Sequence, residues 1–482
     1  MFITGMRQLG LAWSILSGRA FRVQDVLALA DDVRATLEEF GSAGEGANDM
    51  LGPPDPEIQQ SLTRRRLRRT VRNAAQHTPY YRHLFEGVDI DLATVGPDMI
   101  TRIPPTSKQA LRGMPSAFVS DRGKPVLAAQ TTGTTGTPTT VWFSRYELEI
   151  TAATGALALM LTNGLRTEHI WGNCITTRSI AHYLTERSIT LTGAGFVPIG
   201  PVDPQVALDR LATPMHLPGK RPQITHLNAT SSYLAALVQD AERGGWTAAD
   251  FGLQEIHVGG EILTDALRER VRELFDVPII DGYSMTEIIP VAGQVCGHDH
   301  LHLPVDQGHV EVLDPVTLEP VAPGAVGSLT ITPFVSYRDT TTLLRYVTGD
   351  LVRVLPEAQK LGCEFAAAPA TSRILGRVTG SQLTTKDVLE LLHGERVLPL
   401  PTRYALEETG SAGATVLHVV AERASRKLLA RLEERAADLA LPLAGIVLVE
   451  DPADLPTPCR VRADLREHTF HHNIPIPAGR NA

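Results

Sequence analysis

Ala128 to Ser144 reads AAQTTGTTGTPTTVWFS, seven threonines and two glycines set between two apolar runs. Gly133 and Gly136 allow positive φ and a close backbone approach, and Thr131, Thr132, Thr134 and Thr135 add short hydroxyl donors. Amides and hydroxyls packed this densely suit an anion, and a polyphosphate is the usual one. The pattern G-x-x-x-x-G-K-[ST] is absent, because Thr137 rather than Lys follows Gly136. The loop is therefore not the phosphate loop of an ordinary ATPase. Taken alone, it also fits a plain surface turn between strands.

Outward from this loop the chain reads as mixed α/β. QITHLNA (Gln223–Ala229), LQEIHVGG (Leu253–Gly260), VPIIDGY (Val277–Tyr283) and VGSLTITPF (Val326–Phe334) are short β-prone runs, separated by helical segments such as Ser232 to Ala241 and Thr264 to Phe275. Such alternation predicts largely parallel sheets covered by helices, with ligands beyond the carboxyl ends of the strands. After RILGRVTG (Arg373–Gly380) a smaller α+β unit follows, with strands in ATVLHVVAE and GIVLVED around a helix from Ser425 to Leu439. The expected division is a helical leader and linker over 1–60, a large body over 61–376 and a small carboxyl-terminal lid over 377–482. The linker is FGSAGEGANDMLGPPD, Phe40 to Asp55.

Composition narrows the function. At 482 residues the chain exceeds what one core usually supports. A net charge of −9 argues against a general nucleic-acid or anionic-membrane binder. The basic run TRRRLRRTVRNAAQH (Thr63–His77) carries Leu62, Leu67, Val71 and Ala74 at helical spacing, so its arginines are expected on the solvated face of an amphipathic helix. Four widely spaced cysteines do not form a disulfide framework and fit a cytoplasmic location. The apolar stretch from Leu9 to Leu16 is too short for a membrane span.

Three further stretches put polar residues at strand ends: HVGGE (His257–Glu261), DGYSMTE (Asp281–Glu287) and YVTGD (Tyr346–Asp350). Each has a plain alternative, namely a tight turn at Gly259 and Gly260, a helix cap at Thr286 and Glu287, and a hairpin turn at Gly349 and Asp350. Their joint order carries more information. With TTGTTGTPT before them and Gly376–Arg377 after them, the chain resembles the adenylate-forming enzymes, and more closely their phenylacetate-CoA ligase branch. RLRRTVRNAAQHTPYYRHLFEG and IPPTSKQALRG also resemble that branch's amino-terminal region.

The resemblance implies ATP-dependent activation of a carboxylic acid, aryl or arylacetic, as an acyl-AMP with release of pyrophosphate. Residues 131–137 would cradle the β- and γ-phosphates, Thr286 would bond the α-phosphate, and Glu287 would hold Mg²⁺. Tyr283 would pack on adenine beside Ser284, and Asp350 would accept hydrogen bonds from the ribose hydroxyls. Gly259, Gly260 and Glu261 would let the backbone approach adenine and acyl group, and Arg377 would contact ribose or phosphate. The acyl pocket would draw on His182, Tyr183, Gly259 and Met285, although His182 also reads as a satisfied core histidine. CGHDHLH (Cys296, His298, His300, His302) with Cys363 could hold structural Zn²⁺.

Three departures stand out. Thr137 replaces a lysine common in the branch, the hinge continues Val378, Thr379, Gly380 instead of carrying carboxylates, and Arg460 in LPTPCRVRADLRE occupies the place of the lid lysine. The acyl acceptor therefore stays open between coenzyme A, an amine and a carrier-protein thiol, and a nucleotide-binding regulator that has lost catalysis remains a third reading. A homodimer is among the partners expected, and nucleic acid and membrane are not.

Overall fold

The computed structural model describes residues 2–41, 56–131, 138–356, 371–377, 383–409 and 414–456. Its largest sheet has eight strands in the order Thr371–Ser372, His300–His302, Gly293–Val295, Ile279–Tyr283, Glu255–Gly259, His226–Ala229, Ile170–Asn173 and Gly195–Pro198. The last five are mutually parallel, and the first three extend the sheet antiparallel. Parallel pairing requires crossovers, and a side-chain cap starts each of the helices that supply them, Asp203 in Pro204–Ala212 and a Ser or Thr in the other three. Ser179 Oγ accepts from His182 N, Thr230 Oγ1 from Tyr233 N, and Thr264 Oγ1 from Leu267 N. The predicted helices stand at Ser231–Gly244 and Asp265–Phe275.

One face of the parallel strands is apolar. Ile170, Leu227, Ala229, Ile256 and Val258 bury against the helices Pro204–Ala212, Ser231–Gly244 and Asp265–Phe275. A second sheet, Gly308–Leu313, Val326–Pro333, Tyr346–Arg353 and Gly376–Arg377, is antiparallel throughout, which departs from the parallel expectation for VGSLTITPF. The strand Tyr346–Arg353 runs through Gly349 and Asp350, so the hairpin-turn reading of that pair is wrong.

The helix Pro56–His77 buries Leu67, Val71 and Ala74 as its spacing predicts. One arginine of the basic run departs from the solvated face. Arg66 is buried, and its Nη1 donates to the Asp306 carbonyl at 2.8 Å. Residues 383–409 and 414–456 build a three-stranded sheet with helices Thr385–His393 and Arg426–Asp438, around a core of Leu391, Leu417, Val419 and Leu432. Among the described residues no helix is long and apolar enough to cross a membrane.

Candidate active site

The carboxyl ends of the parallel strands meet the second sheet, and Tyr283 and Asp350 face each other there. Asp350 Oδ2 accepts from the Tyr283 hydroxyl at 2.9 Å, and Oδ1 lies 3.2 Å from Arg377 Nε. Strand register explains the second contact, because Asp350 and Arg377 are direct partners on the ladder. Gly376 is fixed by the same approach. Its φ is +142°, and a Cβ there would stand 2.8 Å from the Thr385 backbone nitrogen. Burial pushes the Asp350 carboxyl upward, opposed by the charge of Arg377 and the Tyr283 hydrogen bond. Burial, with the Asp350 charge beside it, holds the Tyr283 phenol well above its usual range.

Glu287 lies in the turn after Tyr283 and is only 1% exposed. Lys108 Nζ sits 2.9 Å from Glu287 Oε1, and the Tyr346 hydroxyl donates to that oxygen at 3.2 Å. Lys108 arrives from far upstream because its segment is stitched to the strand beside the site. Thr106 N donates to the Arg345 carbonyl and Val347 N to the Thr106 carbonyl, at 2.9 and 3.0 Å. Ser107 then caps the helix Lys108–Gly113, accepting from Ala110 N at 3.0 Å. IPPTSKQALRG carried this lysine in plain view, with the Ser cap before it as the local signal. What was missing is the pairing of that segment with residues 345–347.

A cavity of about 520 Å³ opens between the large body and the helix Thr385–His393. Gly260, Glu261, Tyr283, Ser284, Met285, Asp350 and Arg377 line it, all expected from the sequence. Gly260 has φ +81°, which a side chain would strain. Glu261 also has a structural task, since its Oε2 accepts from Ser232 N at 2.7 Å. Asp281, Arg373 and His393 line the cavity too and were not foreseen. Burial lifts Asp281 to about 6 against the opposing charges of Arg268 and Arg373.

Other expected residues lie elsewhere. His182 is buried and its Nδ1 meets Asn173 Nδ2 at 2.8 Å, as the core-histidine reading requires. Tyr183 is 42% exposed and does not line the cavity. Thr286 and Gly259 are half-buried, Thr286 in the turn and Gly259 at the end of its strand. Thr131 exchanges hydrogen bonds with Thr139 at 3.0 and 3.1 Å. Thr132, Gly133, Thr134, Thr135, Gly136, Thr137, Cys363 and Arg460 lie outside the described residues. Ligand atoms of Cys296, His300 and His302 fall within 4.8 Å of one another, without His298.

Residues 120–333 match the family model described as AMP-binding enzyme. The phenylacetate-coenzyme A ligase of Thermus thermophilus is 28% identical over 317 residues, 64% of this chain and 68% of that protein. The phenylacetate-coenzyme A ligase of Escherichia coli is 27% identical over 358 residues, 70% of this chain and 74% of that protein. These likenesses support the adenylate-forming superfamily, in its phenylacetate-CoA ligase-like branch. The crystal structure of 2-hydroxyisobutyryl-CoA ligase in the postadenylation state, in complex with R3-HIB-AMP, shares the adenylate-forming fold. It superposes with a TM-score of 0.69 at 18% identity, over 86% of this chain and 92% of that one.

Proposed function

We propose that the chain activates a carboxylic acid, aryl or arylacetic, with ATP as an acyl-AMP and passes the acyl group to the thiol of coenzyme A. The observation that carries this reading is the convergence of Tyr283, Asp350 and Arg377 on one cavity, with the Lys108–Glu287 pair beside it. Both Asp350 oxygens keep lone pairs beyond those used by Tyr283 and Arg377, so the carboxylate can accept from ribose hydroxyls. Gly260 leaves the cavity wall bare for a flat purine. Arg377 and Lys108 bring positive charge to the end where phosphates and the acid carboxylate meet.

In the first half-reaction a carboxylate oxygen attacks the α-phosphorus, and the bond to the bridging oxygen breaks to release pyrophosphate. Positioning and charge neutralisation dominate such a step, because the reactants are all anionic. Glu287 suits a hard cation, since Lys108 and Tyr346 both contact Oε1 and leave Oε2 for Mg²⁺. Bound there, the metal would neutralise phosphate charge. In the second half-reaction the thiol sulfur attacks the acyl carbonyl, its proton is lost, and AMP leaves. Residues 131–137 would grip the pyrophosphate.

Cys296, His300 and His302 are gathered closely enough for a structural Zn²⁺, which takes thiolate and imidazole ligands at ~2.0–2.3 Å. Elemental analysis of untagged protein should find close to one zinc per chain. Clearly substoichiometric metal rejects it.

The test of the main reading is acid-dependent ATP–pyrophosphate exchange over a panel of aryl, arylacetic, aliphatic and amino acids. Exchange with aryl acids, reduced about 10²-fold or more by Asp350→Asn, is expected. Exchange with no acid moves the protein to the class of nucleotide-binding regulators.

A further inference from the structure

The parallel strands bury an apolar face, as a helix-covered sheet should. Their other face does not follow that rule. Trp171 on the strand Ile170–Asn173, His226 and Asn228 on His226–Ala229, and Glu255 and His257 on Glu255–Gly259 all project to it by alternation. Gly259 ends the same row, two residues beyond His257. Asn228, Glu255, His257 and Gly259 are only half-buried there, with side-chain exposures of 13% for His257 and 15% for Glu255. This row is therefore not sealed as the apolar face is.

The groups on it are arranged to read something. Asn228 and His257 are direct register partners on adjacent strands, so their side chains stand next to each other. Asn228 Nδ2 donates to Asn173 Oδ1 at 2.8 Å, which fixes the amide and turns its own oxygen free as an acceptor. The His257 ring contacts Glu255 through Nε2 and lies 4.4 Å from the Trp171 ring. The Trp171 indole N–H is fully buried and makes no hydrogen bond. Along the strand, His257 lies about 7 Å before Gly259, two residues of β rise. That matches the span of an aryl ring whose carboxyl end rests at Gly259.

We propose that this face is the acyl subsite and that the acid it selects is an aryl acid carrying a ring hydroxyl, read by Asn228 and His257 over the Trp171 ring. The inference rests on the acid-activation reading above. The hydroxyl would donate to Asn228 Oδ1 and accept from the imidazole. An unsubstituted ring would leave the Asn228 oxygen dry and unpaired, which is costly for a site built to bond a hydroxyl.

The test compares matched acids on the wild-type enzyme: benzoic and phenylacetic acids, their 3- and 4-hydroxy forms, and their 4-amino forms, each by ATP–pyrophosphate exchange. Hydroxylated acids should exceed their unsubstituted parents in kcat/KM by at least about tenfold. Asn228→Leu and His257→Phe should each remove that preference, read as the kcat/KM ratio of hydroxylated to unsubstituted acid measured within the same variant. The wild-type comparison stands even if a variant folds poorly. Preference for unsubstituted or amino acids of the set, or a hydroxyl preference that survives both variants, overturns the assignment and leaves acid activation intact. Exchange with no acid overturns activation and this proposal together.

Discussion

Lys108 is the residue on which the charge of the site turns. It neutralises a carboxylate that is almost wholly buried, and it acts on Asp350 as well, pulling that carboxyl down. Lys108→Met should lower acid-dependent ATP–pyrophosphate exchange by about 10²-fold. Lys108→Arg should not restore it, because a planar fork does not replace a compact ammonium. Wild-type exchange by Lys108→Met, measured with saturating acid, rejects the role. His226 supplies a second residue-scale prediction. Burial, with His169 and His257 beside it, lowers its pKa from 6.5 to about 3, and burial lowers His393 to about 4. Both fold as neutral imidazoles while the unfolded chain takes up protons near 6.5, so their stability contribution is full above that pH. It is lost as pH falls from 6.5 towards about 3 for His226 and about 4 for His393, by up to about 1.4 kcal/mol per pH unit for each group. Denaturant melts of His226→Phe should show a shallower loss between pH 7 and pH 4 than wild type. An unchanged slope rejects the assignment.

Between elements, hydrogen bonds as well as the buried Leu400 hold the small unit to the large body. Gln239 Nε2 donates to the Leu398 carbonyl at 2.8 Å, and its Oε1 accepts from Leu400 N at 2.9 Å. Glu390 accepts from Asp265 N and Ala266 N, both at 2.8 Å, and so caps the helix that Thr264 starts. Thr264 Oγ1 in turn meets His393 Nδ1 at 2.8 Å. Gln239→Leu strands two backbone groups and should cost about 2–3 kcal/mol of docking, read as faster proteolysis or amide exchange over 383–400. Protection equal to wild type contradicts it. Such contacts were beyond the sequence, because a glutamine in a helix and a backbone carbonyl 159 residues later carry no shared pattern. The helices and parallel strands were legible, since Ser and Thr caps and β-branched runs act locally. Tyr283, Asp350 and Arg377 were legible through the order of their motifs. Lys108–Glu287 and the Asn228–His257 row were not, because each arises from segments paired across the sheet.

For the whole molecule the question is how the two half-reactions share the small unit. Lys386, the lysine of the small unit closest to the cavity, is engaged with Asp265 Oδ2 at 3.4 Å, so it does not stand ready as the lid lysine. With the nucleotide-site motifs kept and the hinge and lid-lysine positions altered, acyl-AMP formation is expected to outpace thioester formation. A paired assay on one preparation checks this, following pyrophosphate release with and without coenzyme A and the thioester by mass. Thioester appearing as fast as pyrophosphate contradicts the imbalance. Negligible thioester, with capture of the acyl group by an added amine or carrier protein, reassigns the acceptor.

The rung shared by Asp350 and Arg377 bears on that balance in another way. One partner is a proposed nucleotide contact, and the other is the last described residue before the chain passes to the small unit. Were the small unit to reorient about this rung, nucleotide affinity and its orientation would be two readouts of a single equilibrium. Thermodynamic reciprocity follows: whatever factor a bound nucleotide contributes towards one lid orientation, locking that orientation contributes equally to nucleotide affinity.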